Sequence, residues 1–241
     1  MQKDMNSLYT NLIRPTYFMQ ISRIVLIVLS IMANLILVFA LYYCIVMTDT
    51  DIQQGENYRI IYVHVPSAWL CMLLYAILTL FSIIYLINKH PLIAIISKSI
   101  SKVGAIFTLI TLITGSLWGY PVWGTFWVWD ARLTSVLILF FIYLAHLSVL
   151  HSMTNTAKSY QIGSIVAIVG FINIPIIKYS VDWWTTLHQG SSITQFKNTI
   201  DTSMLIPMLL MLISYILYTI YIIVSDTRKE VLIRKIKTYV K

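Results

Sequence analysis

Charged residues are scarce in this 241-residue chain: they make up 11% of it, whereas hydrophobic residues make up 59%. Soluble domains carry about one quarter charged residues, so the composition excludes an ordinary soluble fold and indicates a polytopic membrane protein. Motifs recognisable by spacing are missing too, since there is no GxxxxGK[ST] phosphate loop, no HExxH and no GxSxG. The chain therefore does not bind ATP through such a loop, and any energy input must come from another subunit.

Cysteine is almost as rare, with two residues in the whole chain. Cys44 and Cys71 both lie in apolar runs, and neither has a CxxC partner or a histidine nearby in sequence. This spacing argues against a zinc site or a redox pair. We predict that both are inert buried thiols.

Long hydrophobic runs are what the chain does have. A transmembrane helix needs about 20 apolar residues to cross about 30 Å of hydrocarbon, and six runs approach or reach that length. The first is followed by TDTDIQ rather than by small residues, so we expect it to remain as an anchor and not to be cleaved. The predicted fold is a single all-α domain, residues 1–241, with six transmembrane helices at Ile24–Met47, Pro66–Ile87, Val103–Leu117, Thr134–Leu150, Gln161–Ile177 and Ser203–Val224.

The net charge of +8 is distributed unevenly, which makes it a topology signal and not a sign of nucleic-acid binding. Thirteen of the 17 Lys and Arg residues fall in the two terminal segments and in the second and fourth loops, and four fall in the other loops. By the positive-inside rule, both termini face the cytoplasm or an organellar matrix, and the first, third and fifth loops face out. The basic tail, residues 225–241, is predicted to be solvated and to lie against lipid headgroups.

Tryptophan is confined to the predicted outer side. Aromatic residues usually decorate both membrane interfaces, so an interfacial belt explains this asymmetry poorly. Two histidines share the compartment, and each has a tryptophan at near-helical spacing: His64 before Trp69, and His188 after Trp184. The remaining histidines, on the inner side, are expected to cap helices or to form interior hydrogen bonds. The densest aromatic stretch is WGYPVWGTFWVWDARLT, residues 118–134, which holds Trp118, Trp123, Trp127 and Trp129.

This set of residues fits one kind of ligand well. Two neutral imidazoles from loops far apart in sequence can take the two axial positions of a haem iron. Indole rings supply flat apolar walls for the macrocycle. The haem carboxylates need cations, and Arg59 and Arg132 are the arginines on the outer side.

The local structure of the tryptophan-rich loop is less directly readable. A short interfacial helix that begins after Gly119 and Pro121 would align Trp123, Phe126, Trp127 and Asp130, whereas a strand would align Trp123, Trp127 and Trp129. We expect the helix, because an isolated strand would leave backbone groups unpaired near lipid. Asp130 is expected to be a structural partner of Arg132 or of backbone amides.

The stretch WGYPVWGTFWVWDARLTS, residues 118–135, resembles the tryptophan-rich signature of the haem-handling proteins of cytochrome c biogenesis. RIIYVHVPSAW, DWWTTLHQGSSI and the six spans extend the resemblance to the haem exporter protein C family, also called cytochrome c maturation protein C, over roughly residues 22–224. Phe126 departs from the family pattern, which often has tryptophan there, but keeps an aromatic face.

The resemblance implies a carrier of haem b as cargo, not an enzyme. His64 and His188 would be axial ligands and the tryptophans a platform at the outer face. The implied partners are a membrane-tethered haem chaperone, a small single-span subunit and ABC transporter subunits, within the lipid bilayer of the bacterial inner membrane or, alternatively, the mitochondrial inner membrane.

Three rival functions belong to other classes. A channel or exporter would place ionisable residues inside its spans, and the predicted spans contain no Asp, Glu, Lys or Arg. A haem lyase shares the signature, but those relatives have more spans and more outer histidines. A quinol-linked redox subunit would need further buried histidines or acids.

Overall fold

The computed structural model of the chain describes residues 15–153, 155–188 and 200–239. These residues form seven α-helices and one 3-10 helix. In chain order they are α1 (Pro15–Val46), the 3-10 helix (Glu56–Ile60), α2 (Ile61–Asn88), α3 (Pro91–Trp123), α4 (Ala131–Ser152), α5 (Thr156–Gly170), α6 (Asn173–Trp183) and α7 (Thr202–Tyr239).

Within the described residues, six helical segments are long and apolar enough to cross a membrane. Helices α1, α3, α4 and α7 are the first, third, fourth and sixth segments. The second consists of the 3-10 helix and α2, and the fifth consists of α5 and α6. This confirms the predicted all-α architecture with six spans. An even number of crossings also brings both ends of the bundle to the same side of the membrane.

The helices are longer than the apolar runs predicted, and α3 shows why. It has 33 residues, which corresponds to about 50 Å at 1.5 Å per residue, so it extends well beyond the hydrocarbon layer. Its first turns contain serines whose hydroxyls donate to carbonyls four residues earlier, as Ser97 does to Ile93 O at 3.0 Å. The predicted second loop therefore shrinks to Lys89 and His90, and His90 caps α3 by accepting from Leu92 N at 3.3 Å.

Helix α3 is the most buried of the six spans and packs against α2, α4 and α7, while α1 packs chiefly on α7. Two tyrosines pack in this core with their hydroxyls satisfied. Tyr143 donates to Cys71 O at 2.8 Å and Tyr75 to Ala167 O at 3.0 Å, and the two rings lie edge-on at 5.1 Å. Both cysteines are buried and free, as predicted. His146 is also buried, with Nδ1 3.0 Å from Ser101 Oγ.

The fifth span is broken between α5 and α6. Pro175 lies in the first turn of α6, where it cannot donate a backbone hydrogen bond to Phe171, and residues 171–172 form a turn. Asn173 holds the break in place by donating from Nδ2 to Ser135 O in α4 at 2.8 Å. The break makes α6 a separate short helix whose end reaches the outer surface.

The predicted solvated tail is, in its described part, the end of α7. Its acidic residues pair toward α3: Asp226 accepts from Lys102 at 2.8 Å and from Ser99 at 2.7 Å, and Glu230 lies 3.9 Å from Lys98. The sequence predicts these lysines in a loop, but they lie on α3, so ion pairs join the inner ends of α3 and α7. The two residues after Tyr239 lie outside the described residues.

Candidate functional site

The candidate site lies where the outer ends of four helices meet. His64 is in the first turn of α2, Trp118 and Trp123 are in the last turns of α3, Asp130 immediately precedes α4, and His188 follows the end of α6. Consecutive antiparallel helices bring the start of α2 beside the end of α3, and the end of α3 beside the start of α4. The imidazoles of His64 and His188 are close enough to interact electrostatically.

The orientation of His64 is fixed by Thr114 on α3. His64 Nδ1 lies 3.0 Å from Thr114 Oγ1, and the Thr114 hydroxyl donates its own proton to Ile110 O at 2.7 Å. Because the hydroxyl proton is already used, Nδ1 must carry the proton and donate it to Oγ1. This tautomer leaves the lone pair on Nε2, which is the form that binds a metal.

Two further residues of α3 shape the space around His64. A Cβ at Gly115 would stand 3.0 Å from His64 Cε1, so a glycine there allows the imidazole to approach the helix closely. One turn later, the Trp118 indole lies edge-on to His64 at a centroid distance of 5.6 Å. Trp118 is itself oriented by donating from Nε1 to Gln54 Oε1 at 2.7 Å.

His188 is positioned by Asp130 and Trp123. Its Nδ1 lies 3.6 Å from Asp130 Oδ2, slightly beyond hydrogen-bond length, and the two atoms are buried without another partner among the described residues. The Trp123 indole lies 5.4 Å from the His188 ring and folds back over Gly119, where a larger residue would collide with it. Burial lowers the pKa of His188, and the Asp130 carboxylate opposes this effect.

The two carboxylate oxygens of Asp130 have different partners. Oδ1 accepts from Leu133 N at 2.7 Å and caps α4, which confirms the prediction that it bonds a backbone amide. Oδ2 faces His188, a contact that the sequence did not indicate. The Asp130 side chain is 6% exposed, so this carboxylate acts in a protected environment.

The two outer arginines hold helix ends together. Arg132 donates to Ser180 Oγ at 3.1 Å and to carbonyls in the last turns of α6, where the helix dipole favours a cation. Arg59 bonds Glu56, Thr48 and Cys44 O, and so ties the 3-10 helix to the outer end of α1. Arg132, and not Arg59, acts electrostatically on both His64 and His188.

The predicted interfacial helix is wrong. Residues 118–123 are the end of α3, which stops because Gly124 takes a left-handed conformation, φ 71°, and bonds Tyr120 O. Residues 124–130 form neither a helix nor a strand. The tryptophans are therefore not aligned by the expected helix or by the alternative strand. Trp127 and Trp129 instead lie edge-to-face at 5.6 Å, with Trp129 77% exposed.

The remaining predicted residues lie apart from this cluster. Trp69 packs against the buried cluster between α1, α2 and α7 that contains Tyr62 and Met208. Trp184 follows the end of α6 in an extended conformation, so its spacing to His188 is not helical, and it lies edge-on to Trp183. Residues 189–199, which include the end of the stretch DWWTTLHQGSSI, lie outside the described residues.

Thr114 and Gly115 were missed in the sequence. Their signal was present, because they stand four and three residues before Trp118 on α3, a spacing that places small side chains on one helix face with the indole. The sequence does not show that α2 packs against α3, so it does not indicate that this face contacts His64.

Known proteins resemble this chain over most of its length. A family model described as Heme exporter protein C matches residues 8–241. A ccmC-like mitochondrial protein of Marchantia polymorpha, described as a putative cytochrome c biosynthesis protein, is 49% identical over 225 residues, which cover 93% of this chain and 96% of that protein. Heme exporter protein C of Bradyrhizobium diazoefficiens is 39% identical over 95% of this chain and 87% of that protein. Heme exporter protein C of Escherichia coli K12 is 39% identical over 76% of this chain and 74% of that protein.

Proposed function

The chain belongs to the haem exporter protein C family, and we propose that it holds one haem at the outer membrane face and presents it to a membrane-tethered haem chaperone. Family membership makes it a haem-handling membrane protein of cytochrome c biogenesis, not an enzyme. The proposal concerns how the haem is held, which residues hold it and where it goes next.

The observation that carries the proposal is the shared orientation of two imidazoles. His64 presents Nδ1 to Thr114, and His188 presents Nδ1 to Asp130. In each ring the other nitrogen, Nε2, is then the atom with the available lone pair. Haem iron takes two such nitrogens as axial ligands, and an acceptor on Nδ1–H both orients the ring and raises its basicity.

The aromatic residues divide into two groups around the proposed haem. Trp118 and Trp123 touch the histidines and would form its walls. Trp127 and Trp129 lie in the non-helical segment, where the exposed Trp129 ring is available to an incoming partner. A haem held by two imidazoles, with one edge against this segment, would be accessible to the chaperone from the outer aqueous side.

The haem carboxylates would lie toward Arg132. Its electrostatic influence on both histidines supports a position near the proposed iron, whereas Arg59 is paired with the Glu56 carboxylate. We therefore propose Arg132 as the cation near the propionates and Arg59 as a residue that holds the first outer loop. Trp69 and Trp184 have a supporting role at most.

The cargo is proposed to be haem b, because delivery precedes any covalent attachment to a cytochrome. The proposed partners are a small single-span subunit and ABC transporter subunits in addition to the chaperone. The protein is a multi-pass membrane protein, and its bacterial and mitochondrial relatives support the inner membrane of a bacterium or of a mitochondrion as its location.

The test is the haem content and absorption spectrum of the protein purified with its native pigment. His64→Ala and His188→Ala should each lower the haem content and change the Soret band. His151→Ala is the matched control, since His151 is an exposed histidine at the inner end of α4. Unchanged haem content and spectra in both outer variants would contradict the assignment of the axial ligands.

A further inference from the structure

A groove opens at the opposite, inner end of the bundle, between α1 and α7. It has a volume of about 590 Å³ and is lined by Met19, Gln20, Arg23, Ile24, Ile27 and Arg228. None of these lining residues is acidic. The groove lies at the start of α1 and near the end of α7, at the end of the bundle opposite His64 and His188.

The arrangement of charges on α7 leaves this groove positive. Asp226 and Glu230 are four residues apart and pair toward α3. Arg228 lies between them in sequence, so its side chain leaves the other side of the helix, toward α1. It donates to Met19 O and Ser22 Oγ, each at 2.5 Å, and Arg23 lines the same groove.

An apolar stripe begins at the same place. Ile24 and Ile27 line the groove, and Ile31 continues their face one turn further toward the membrane centre. All three are more than half exposed. The surface therefore combines two cations at the headgroup level with an apolar track that leads into the hydrocarbon layer.

We propose that this groove binds a phospholipid with an anionic headgroup from the inner leaflet, its phosphate between Arg23 and Arg228 and one acyl chain along the isoleucines. Basic pockets between transmembrane helices on the cytoplasmic side recognise such headgroups. Haem is also an amphiphilic anion, but its rigid disc requires flat walls, and none of the described residues that line the groove is aromatic. Because α1 packs chiefly on α7, a lipid bound between these two helices would stabilise the packing of α1 against the bundle.

Native mass spectrometry of the purified full chain tests the proposal with phosphatidylglycerol and phosphatidylcholine as probes. Each arginine near the membrane surface contributes a factor of about fivefold in binding to anionic lipid. Arg23→Gln should therefore weaken phosphatidylglycerol binding by about fivefold, and Arg23→Gln with Arg228→Gln by roughly 25-fold. Lys229→Gln with Lys235→Gln is the matched control, because these exposed residues of α7 do not line the groove.

The single variant Arg23→Gln keeps the bonds from Arg228 to α1, so it remains informative if the double variant is unstable. Equal retention of phosphatidylglycerol by the wild type and Arg23→Gln would overturn the proposal, as would equal binding of phosphatidylcholine and phosphatidylglycerol by the wild type. A haem titration separates the competing occupant: the arginine variants should keep the wild-type Soret band, and loss of haem from them would identify the groove as a haem site instead.

Discussion

Replacing Asp130 with asparagine separates the two functions of this side chain. Asparagine is as good a helix N-cap as aspartate, so its Oδ1 should still accept from Leu133 N. The amide nitrogen then takes the position of Oδ2 and presents a donor to His188 Nδ1. The imidazole would respond by placing its proton on Nε2, which removes the lone pair that the haem iron requires.

The size of the effect follows from the type of contact. Loss of an acceptor behind a ligating histidine typically costs 10- to 100-fold in metal affinity. The Asp130 side chain is 6% exposed, so water cannot easily replace the lost acceptor. We expect haem retention by Asp130→Asn to fall by about 10- to 100-fold, with helix stability nearly unchanged.

The assay compares Asp130→Asn with Asp130→Ala. Haem content and the Soret band report the ligand, and the thermal unfolding midpoint of the haem-free protein reports the cap. Asp130→Ala should lose haem and also about 1 kcal/mol of stability, because alanine cannot cap α4. Wild-type haem retention in Asp130→Asn would refute the role of the carboxylate behind His188, and equal destabilisation of both variants would contradict the premise that asparagine preserves the cap of α4.

Further predictions concern the surroundings of the site. Gly115→Ala should lower haem content, because its Cβ would stand 3.0 Å from His64 Cε1 and displace the imidazole; unaltered haem content would contradict this packing. Arg132→Gln should lower haem affinity by about tenfold, measured by haem titration, whereas Arg59→Gln should lower the unfolding midpoint and leave the Soret band unchanged. The two cysteines should resist maleimide labelling in the folded protein and react fully after denaturation; rapid labelling of the native protein would show that they are not buried.

The fold was predictable because its signals are local. Six apolar runs predicted the number of spans, which the six long apolar helices confirm, and the distribution of lysine and arginine predicts the orientation of the bundle. The ends of the helices were not predictable in the same way. Ser97 and Lys102 look like loop residues in sequence, yet one bonds within α3 and the other pairs with Asp226 on α7. Such partners come from distant parts of the chain.

The candidate site was predictable by residue type but not by contact. The tryptophans and two of the five histidines lie on the predicted outer side, and this asymmetry predicts a site for a flat ligand there. The sequence could not show that Gly124 ends α3 within the tryptophan-rich loop, or that Arg132 bonds the end of α6. Nor could it show that Asp130 and Thr114 stand behind the two histidines, because those pairs join segments 50 or more residues apart.

Electron paramagnetic resonance of the oxidised protein tests the central claim most directly. Two imidazoles on ferric haem give a low-spin signal, and we predict this signal for the wild type. His188→Gly should convert the signal to high spin, and added imidazole should restore the low-spin form by filling the vacated position. His64→Gly should behave in the same way. A low-spin signal that persists in both variants without imidazole would contradict axial ligation by His64 and His188.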